Sequence, residues 1–261
     1  MSAMSEKICT PSLQMEWSQA PWDAAVCGFP VLQITSMKIQ GKNASQDMQI
    51  FEDERDRLGA GLVSCRLPHA CMAESMLLED HGFRFIEMVF QPEIDLATFD
   101  GNISISPLKI ANAGEIDLPI LQDIARTAFH NERFKMDPRL DPGISDQRYQ
   151  NWVVNSFYHP TQDLFVIYND DQAIGFFVTE LLNASTCYWH LNAIAPAAQG
   201  SGLGRRAWVS MMNYAITTGA QRVHTSIAAR NQRVLNLYAS LGFHFAPPSM
   251  TFHWARPEGC Q

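Results

Sequence analysis

Along most of the 261 residues, apolar positions either alternate with polar ones or recur every three to four places, and turn residues separate the runs. The first dozen residues are polar and are expected to be loose. Trp17, Trp22, Val26, Phe29, Val31, Leu32 and Ile34 form an apolar region that ends in a strand over 31–35. A loop over 40–46 and a charged helix over 46–57 follow. Residues 62–67 read as a strand, 69–79 as a helix stopped at Gly82, and 83–90 as a strand. Turn residues then dominate to Pro107, which places a linker over 99–107 between an N-terminal domain, 1–98, and a larger domain, 108–261.

The larger domain begins with a strand at 108–110. Ile120, Leu121, Ile124, Ala125 and Ala128 form one helical stripe over 116–129. A loop with Arg133, Phe134, Asp137, Pro138 and Pro142 precedes a helix that Ser145 can cap. Three antiparallel strands over 163–168, 173–182 and 186–195 are joined by Asn169-Asp170-Asp171 and Asn183-Ala184-Ser185. A helix to residue 218 ends at Gly219. A strand over 222–227, a helix over 232–240 closed by Gly242, and a strand or hairpin over 243–254 complete the order β-α-α-β-β-β-α-β-α-β.

The chain also repeats itself. Residues 61–85 align without a gap on 221–245, so that Val63 meets Val223, Leu77 meets Leu237, and Gly82-Phe83 meets Gly242-Phe243. Two generic βαβ pieces can look this similar; the alternative is that the first domain is a shortened relative of the second. Where the second copy has Asn231 and Tyr238, the first has Cys71 and Leu78.

Composition narrows the function. A 46% apolar chain with 18% charged residues fits a sizeable core, and a net charge of −8 with no Lys/Arg clusters disfavours nucleic-acid binding. The six cysteines are scattered without metal-ligand spacing, and no signal core or long apolar run occurs. A cytoplasmic protein with reduced thiols, no metal and no membrane contact is expected, with a homodimer left open.

The most informative stretch is the apolar run Leu191–Ala195, followed by Pro196 and then Gln199-Gly200-Ser201-Gly202-Leu203-Gly204-Arg205-Arg206. A strand, a glycine loop and a helix start present unpaired backbone N–H groups to an anion, and the helix dipole favours it. The spacing is neither a dinucleotide fingerprint nor a Walker loop. On its own it also fits a strand-to-helix turn without a ligand. Gln199-x-x-Gly202-x-Gly204 resembles the acyl-CoA pyrophosphate loop of the GNAT N-acetyltransferases. Asn231-x-x-x-x-x-Leu237-Tyr238-x-x-x-Gly242-Phe243 resembles their second signature, with Val234 where a small Ala is usual.

The resemblance implies an α/β (α+β) GNAT fold with a mixed, centrally splayed sheet, preceded by a smaller degenerate GNAT-like domain. It implies acetyl-CoA as co-substrate. Ala193, Ile194, Gln199, Gly200, Ser201, Gly202, Leu203, Gly204, Arg205 and Asn231 would bind it, and Tyr238 would protonate the leaving thiolate. A free Tyr, with its pKa near 10, arrives protonated. His190 is the first candidate for the base and Glu180 the alternative, because imidazole as a class titrates near neutrality. By strand alternation, Tyr188, His190 and Asn192 are expected on one face.

Phe129, Arg133, Phe134 and Asn192 are the acceptor candidates, with Tyr149 and Trp152 beside them. An arginine flanked by aromatics suits an anionic, partly planar acceptor, or a capped core. Across the chain the likeness is to nucleotide-amino-sugar N-acetyltransferases, carried by the Trp22 to Phe29 region, His81-Gly82-Phe83, Ala128-Phe129-x-x-x-Arg133-Phe134 and Leu182-Asn183-Ala184-Ser185. It implies acetylation of an exocyclic amine. The alternatives are an amino acid, peptide or other small amine as acceptor, or a CoA-binding regulatory module.

Overall fold

The computed structural model describes residues 5–99 and 107–257, so the expected 99–107 linker lies largely outside the described residues. In the first half the elements run β1 (Glu6–Cys9), β2 (Leu13–Gln19), α1 (Pro21–Cys27), β3 (Val31–Ile39), α2 (Ala44–Arg57), β4 (Leu62–Pro68), α3 (Met72–Asp80) and β5 (Arg84–Asp95). The second half continues with β6 (Lys109–Asn112), α4 (Leu118–Ala128), α5 (Arg133–Met136), α6 (Gly143–Phe157), β7 (Gln162–Asn169), β8 (Gln172–Asn183) and β9 (Thr186–Ile194). It ends with α7 (Leu203–Thr217), β10 (Arg222–Thr225), β11 (Ile227–Ala228), α8 (Gln232–Ser240) and β12 (His244–Ala255).

The N-terminus is more ordered than its polarity suggests. Residues 5–12 include β1, which pairs antiparallel with β2. The period-2 signal was present in Leu13, Met15 and Trp17, all buried and all on one face of β2. Pro21 starts α1, a short helix closed by Gly28 at φ 76°. β12 is one strand and not a hairpin, despite Pro247 and Pro248 at its middle.

Contacts divide the chain into two compact units that interleave in sequence. One comprises Met1–Val89, Met136–Ile144 and Pro247–Gln261; the other comprises Phe90–Lys135 and Ser145–Ala246. In the first, β1-β2-β3-β4 continue into β12, and Met48 and Phe51 of α2 pack on Met15, Trp17 and Ile34. In the second, the order is β5-β10-β9-β8-β7-β6. This sheet is mixed, with β9–β10 parallel and the β8–β9 and β7–β8 pairs antiparallel. Its two faces are covered by different helices. Trp208, Met211 and Met212 of α7 pack with Phe177, Trp189 and Tyr238 on one side. Leu121 and Ile124 of α4 and Tyr149 and Val153 of α6 pack with Val166, Phe176 and Leu191 on the other.

The 160-residue offset found in sequence persists as local structure. Helix α3 (Met72–Asp80) corresponds residue for residue to α8 (Gln232–Ser240), and β5 (Arg84–Asp95) to β12 (His244–Ala255). The N-caps Cys71 and Asn231 share φ near −82° and ψ 61°. Gly82 and Gly242 end the two helices at φ +82° and +88°, values costly for any side chain. Upstream, β3–β4 and β9–β10 are both parallel pairs. The loop between strand and helix is four residues in the first copy (40–43) and eight in the second (195–202). That insertion is the glycine loop; downstream of it the same offset carries α2 onto α7.

The terminal strands of the repeats are exchanged. β10 pairs with Glu93–Asp95 of β5, and β4 pairs with Ser249–Ala255 of β12, in matching register. Each compact unit therefore contains a strand from the other sequence repeat, which a contiguous division at 99–107 does not contain.

Candidate active site

β9 is the axis of the site. Its parallel ladder with β10 runs from Thr186–Arg222 to Trp189–Thr225 and stops there, while its pairing with β8 continues to Ile194 opposite Gly175. The Ala195 N–H donates to the Ile174 carbonyl at 2.8 Å, so antiparallel alternation turns the N–H groups of Asn192 and Ile194 away from β8. Residues 191–194 thus form the open edge of a splayed sheet. An extended, amide-bearing chain can lie along such an edge.

The register explains a departure from simple alternation. Val178 faces Leu191 and Thr179 faces Trp189, so His190 is the extra residue of a β-bulge. The bulge reverses the faces: Trp189 packs with Tyr238, whereas Leu191 packs with Leu121 and Ile124. Tyr188, His190 and Asn192 therefore do not share one face, as strict alternation predicted. Asn192 lies towards Tyr238, with which its side chain interacts. The side chain of His190 meets Glu180, with Nε2 2.7 Å from Oε2. Thr161 Oγ1 donates to the other Glu180 oxygen. That bond lowers the Glu180 pKa, against a smaller opposing effect of burial, and His190 adds to the lowering. The two candidates for the base are therefore one hydrogen-bonded pair. An ionised Glu180 accepts from Nε2–H and leaves Nδ1 as the lone-pair nitrogen.

Tyr238 lies on α8 and is 1% exposed. Burial raises its pKa, while polar contacts from Trp208, Thr225 and Asn192 pull it down. The net effect keeps the phenol protonated at neutral pH. Its ring meets Phe243 edge-on at 4.8 Å. Thr225 Oγ1 donates to the Trp189 carbonyl at 2.8 Å, tying the last ladder pair together where the sheet opens.

The glycine loop has a backbone geometry suited to an anion. Gly200 and Gly202 have φ of +86° and +83°, and a Cβ at Gly200, Gly202 or Gly204 would meet nothing within 4 Å. The outer surface of the loop is therefore open, and side chains there would project into that space. Leu203 begins α7, whose first N–H groups have no intrahelical acceptor. These features fit a diphosphate. Gln199 closes the loop base: its Nε2 donates to the Ile194 carbonyl at 3.0 Å and its Oε1 accepts from Arg233 at 3.1 Å. Ser201 Oγ donates to the Ala198 carbonyl. Arg205 reaches across to Ser240, donating to its Oγ at 2.7 Å. Asn231 caps α8, accepting from the Val234 N–H at 3.3 Å. Both side chains thus hold α8 in place.

Gly175 and Arg148 carried no periodic signal that singled them out. A Cβ at Gly175 would lie 2.5 Å from the Ala193 carbonyl oxygen and 2.6 Å from Ile194 Cδ1. Gly175→Ala should force β8 and β9 apart at 193–194. A loss of about 1–3 kcal/mol in stability is expected by thermal unfolding, together with weaker donor binding by calorimetric titration.

On the α4/α6 side, Phe129 stacks on Tyr149 at 4.1 Å, and Tyr149 lies nearly parallel to Trp152 at 6.0 Å. Arg148 lies over Phe134 and Trp152, both at 5.1 Å, and Arg133 lies over Phe134 at 4.8 Å. Phe134 is fully buried, so it supports the two guanidinium groups from inside. Phe129, Tyr149 and Trp152 pack in the same cluster as Leu191 and Ala193.

A splayed mixed sheet with a glycine loop after its fourth strand is the arrangement that the GNAT resemblance implies. Residues 121–243, just under half of the chain, match the family model described as the acetyltransferase (GNAT) family. Residues 121–243 are thus similar to an N-acetyltransferase domain, and acetyl-CoA is the co-substrate of that family. Over 196 residues it is 26% identical to a dTDP-fucosamine acetyltransferase of Escherichia coli O6:H1, covering 74% of this chain and 80% of that protein. Among solved structures, a GCN5-related N-acetyltransferase from Sphaerobacter thermophilus has the same fold, with TM-score 0.65 and 12% identity over 95% of this chain and 82% of that one. A tandem GNAT protein from the clavulanic acid biosynthesis pathway has a TM-score of 0.60 and 10% identity over 95% of this chain and 80% of that one. No described helix is long and apolar enough to cross a membrane.

Proposed function

We propose that this chain transfers an acetyl group from acetyl-CoA directly to the primary amine of a small acceptor, with a nucleotide-linked amino-deoxysugar favoured. The observation that carries the reading is the hydrogen-bonded Glu180–His190 pair beside the open edge of β9, with buried Tyr238 packed against the same strand. The donor supplies a thioester whose carbonyl carbon accepts the amine nitrogen.

The N–H groups of the glycine loop and of the first turn of α7 hold the diphosphate. The Asn192 and Ile194 N–H groups face the open edge and pair with the amide-bearing arm and the thioester oxygen, where charge develops during attack. His190 Nδ1 takes the proton from the amine, and ionised Glu180 fixes the ring and stabilises the imidazolium. Tyr238 O–H gives its proton to the departing sulfur. Cys187 is not suited to carry the acetyl group between them. Burial pushes its thiol up to about 11, so little nucleophilic thiolate is present at neutral pH. That favours one direct transfer.

Three things support the acceptor. The curated relative is named for a nucleotide-sugar substrate. Arg133 and Arg148 offer cationic groups for phosphate. The Phe129–Tyr149–Trp152 stack offers a planar surface. The N-terminal repeat, which has Leu78 in place of Tyr238, is assigned as a non-catalytic GNAT-like half.

The test is thiol release from acetyl-CoA with dTDP- and UDP-amino sugars, amino acids and polyamines. Turnover is expected with a nucleotide amino sugar, and His190→Ala should lower it about 10²–10⁴-fold. Turnover with amino acids or polyamines alone would replace the acceptor assignment. Release that is indifferent to His190→Ala would remove the base.

A further inference from the structure

The repeat allows each residue of the donor edge to be matched with one in the N-terminal copy. In that copy β2 and β3 pair as β8 and β9 do. Glu16 faces Ser36 and Trp17 faces Ile34, which leaves Thr35 as the bulged residue, the counterpart of His190. The β3–β4 ladder stops at Ile34–Cys65, as β9–β10 stops at Trp189–Thr225. The Gln40 N–H donates to the Ser12 carbonyl at 2.8 Å, as the Ala195 N–H does to Ile174. Ile39 is therefore the counterpart of Ile194, and its N–H faces the first copy's own opening between β3 and β4.

That N–H is already taken. It donates to Glu74 Oε1 at 3.1 Å. Glu74 is on α3, and the 160-residue offset places it opposite Val234 of α8. A carboxylate oxygen thus sits, in the first copy, where the reading above places an acyl carbonyl oxygen in the second. The same copy has the shorter 40–43 loop and Leu78 in place of Tyr238.

We propose that Glu74 is a built-in substitute for the donor: its carboxylate fills the acyl-oxygen position of the N-terminal repeat. The chain consequently binds one acyl-CoA and not two. The single stoichiometry rests on the donor placement proposed for β9, whereas the role of Glu74 can be measured without any ligand. A filled slot keeps β3 and β4 open at their ends without leaving a backbone donor unsatisfied, which is costly away from water. In the second repeat, Val234 offers no acceptor and leaves the Ile194 position for an incoming carbonyl.

The experiment uses the full chain as wild type, Glu74→Ala and Glu74→Gln. Residue-resolved amide exchange is followed by NMR with and without acetyl-CoA, alongside calorimetric titration with acetyl-CoA. In unliganded protein, exchange at Ile39 is expected to quicken about tenfold or more in Glu74→Ala and to stay near wild type in Glu74→Gln, which keeps the acceptor oxygen. Wild type should bind one acetyl-CoA per chain, slowing exchange at Ile194 and leaving Ile39 unchanged. Unaltered Ile39 exchange in Glu74→Ala overturns the proposal, as do two acetyl-CoA per chain or added Ile39 protection by acetyl-CoA. If acetyl-CoA does not bind, or binds without protecting Ile194, the β9 donor reading fails. The Ile39 comparison in unliganded protein then still decides the role of Glu74.

Discussion

Tyr238→Phe is expected to lower kcat by about 10²–10⁴-fold, the usual contribution of a general acid, while the affinity for acetyl-CoA stays within about twofold. The substitution removes one oxygen and keeps the ring that packs on Phe243 and Trp208, so the fold should survive. Binding should also survive, because the diphosphate site proposed on the glycine loop does not include the phenol. Burial holds the Tyr238 pKa above its ordinary value, so the wild-type acid stays protonated well past neutral pH. Loss of the hydroxyl leaves the thiolate to depart unprotonated. A thioester with a more acidic leaving thiol should therefore recover much of the lost rate. Steady-state kinetics with both donors, together with titration of acetyl-CoA, check this. Unchanged turnover with intact binding would give Tyr238 a packing role only.

Asp137→Asn should destabilise the protein by about 3–5 kcal/mol at neutral pH, the cost of breaking a buried charged pair. Asp137 has no exposed side-chain surface. Its Oδ2 lies 3.0 Å from His253 Nδ1 and accepts from Arg139 Nη2 at 2.8 Å. Arg139 also donates to the His253 carbonyl at 3.1 Å, closing the network within the first unit. Burial alone would raise the Asp137 pKa. The hydrogen bonds from His253 and Arg139, with the Arg139 charge, outweigh it and hold the carboxyl well below the usual carboxylate range. A depressed folded pKa stabilises fully above the unfolded pKa of about 4 and is lost as pH falls towards the folded value. The gap between wild type and variant should therefore narrow as the pH falls from about 4. Urea unfolding over that range measures it. A gap that widens in acid would contradict the ionised state of Asp137.

The β-α-α-β-β-β-α-β-α-β order of the second half was legible because each element carries its own period and stop signal. Gly219 and Gly242 end α7 and α8, and the turns at 169–171 and 183–185 separate β7, β8 and β9. The place of the glycine loop before α7 and of Tyr238 on α8 was legible because both lie within short runs of local signals. The face occupied by His190 was not legible, because one bulged residue shifts every later side chain and leaves no mark in the hydrophobic pattern. Gly175 was also hidden: its requirement comes from β9, a strand eighteen residues further on. The partner strands of β4 and β10 were out of reach for a related reason. The sequences of β5 and β12 fit either neighbour, and only three-dimensional pairing decides between them.

The exchanged strands also set an order of events during synthesis. β4 is made well before its neighbour in the structure, Ser249–Ala255. Until then β4 presents an unpaired edge, which chaperones or another chain can cover. The N-terminal repeat thus cannot complete its sheet until the end of the second repeat has been made.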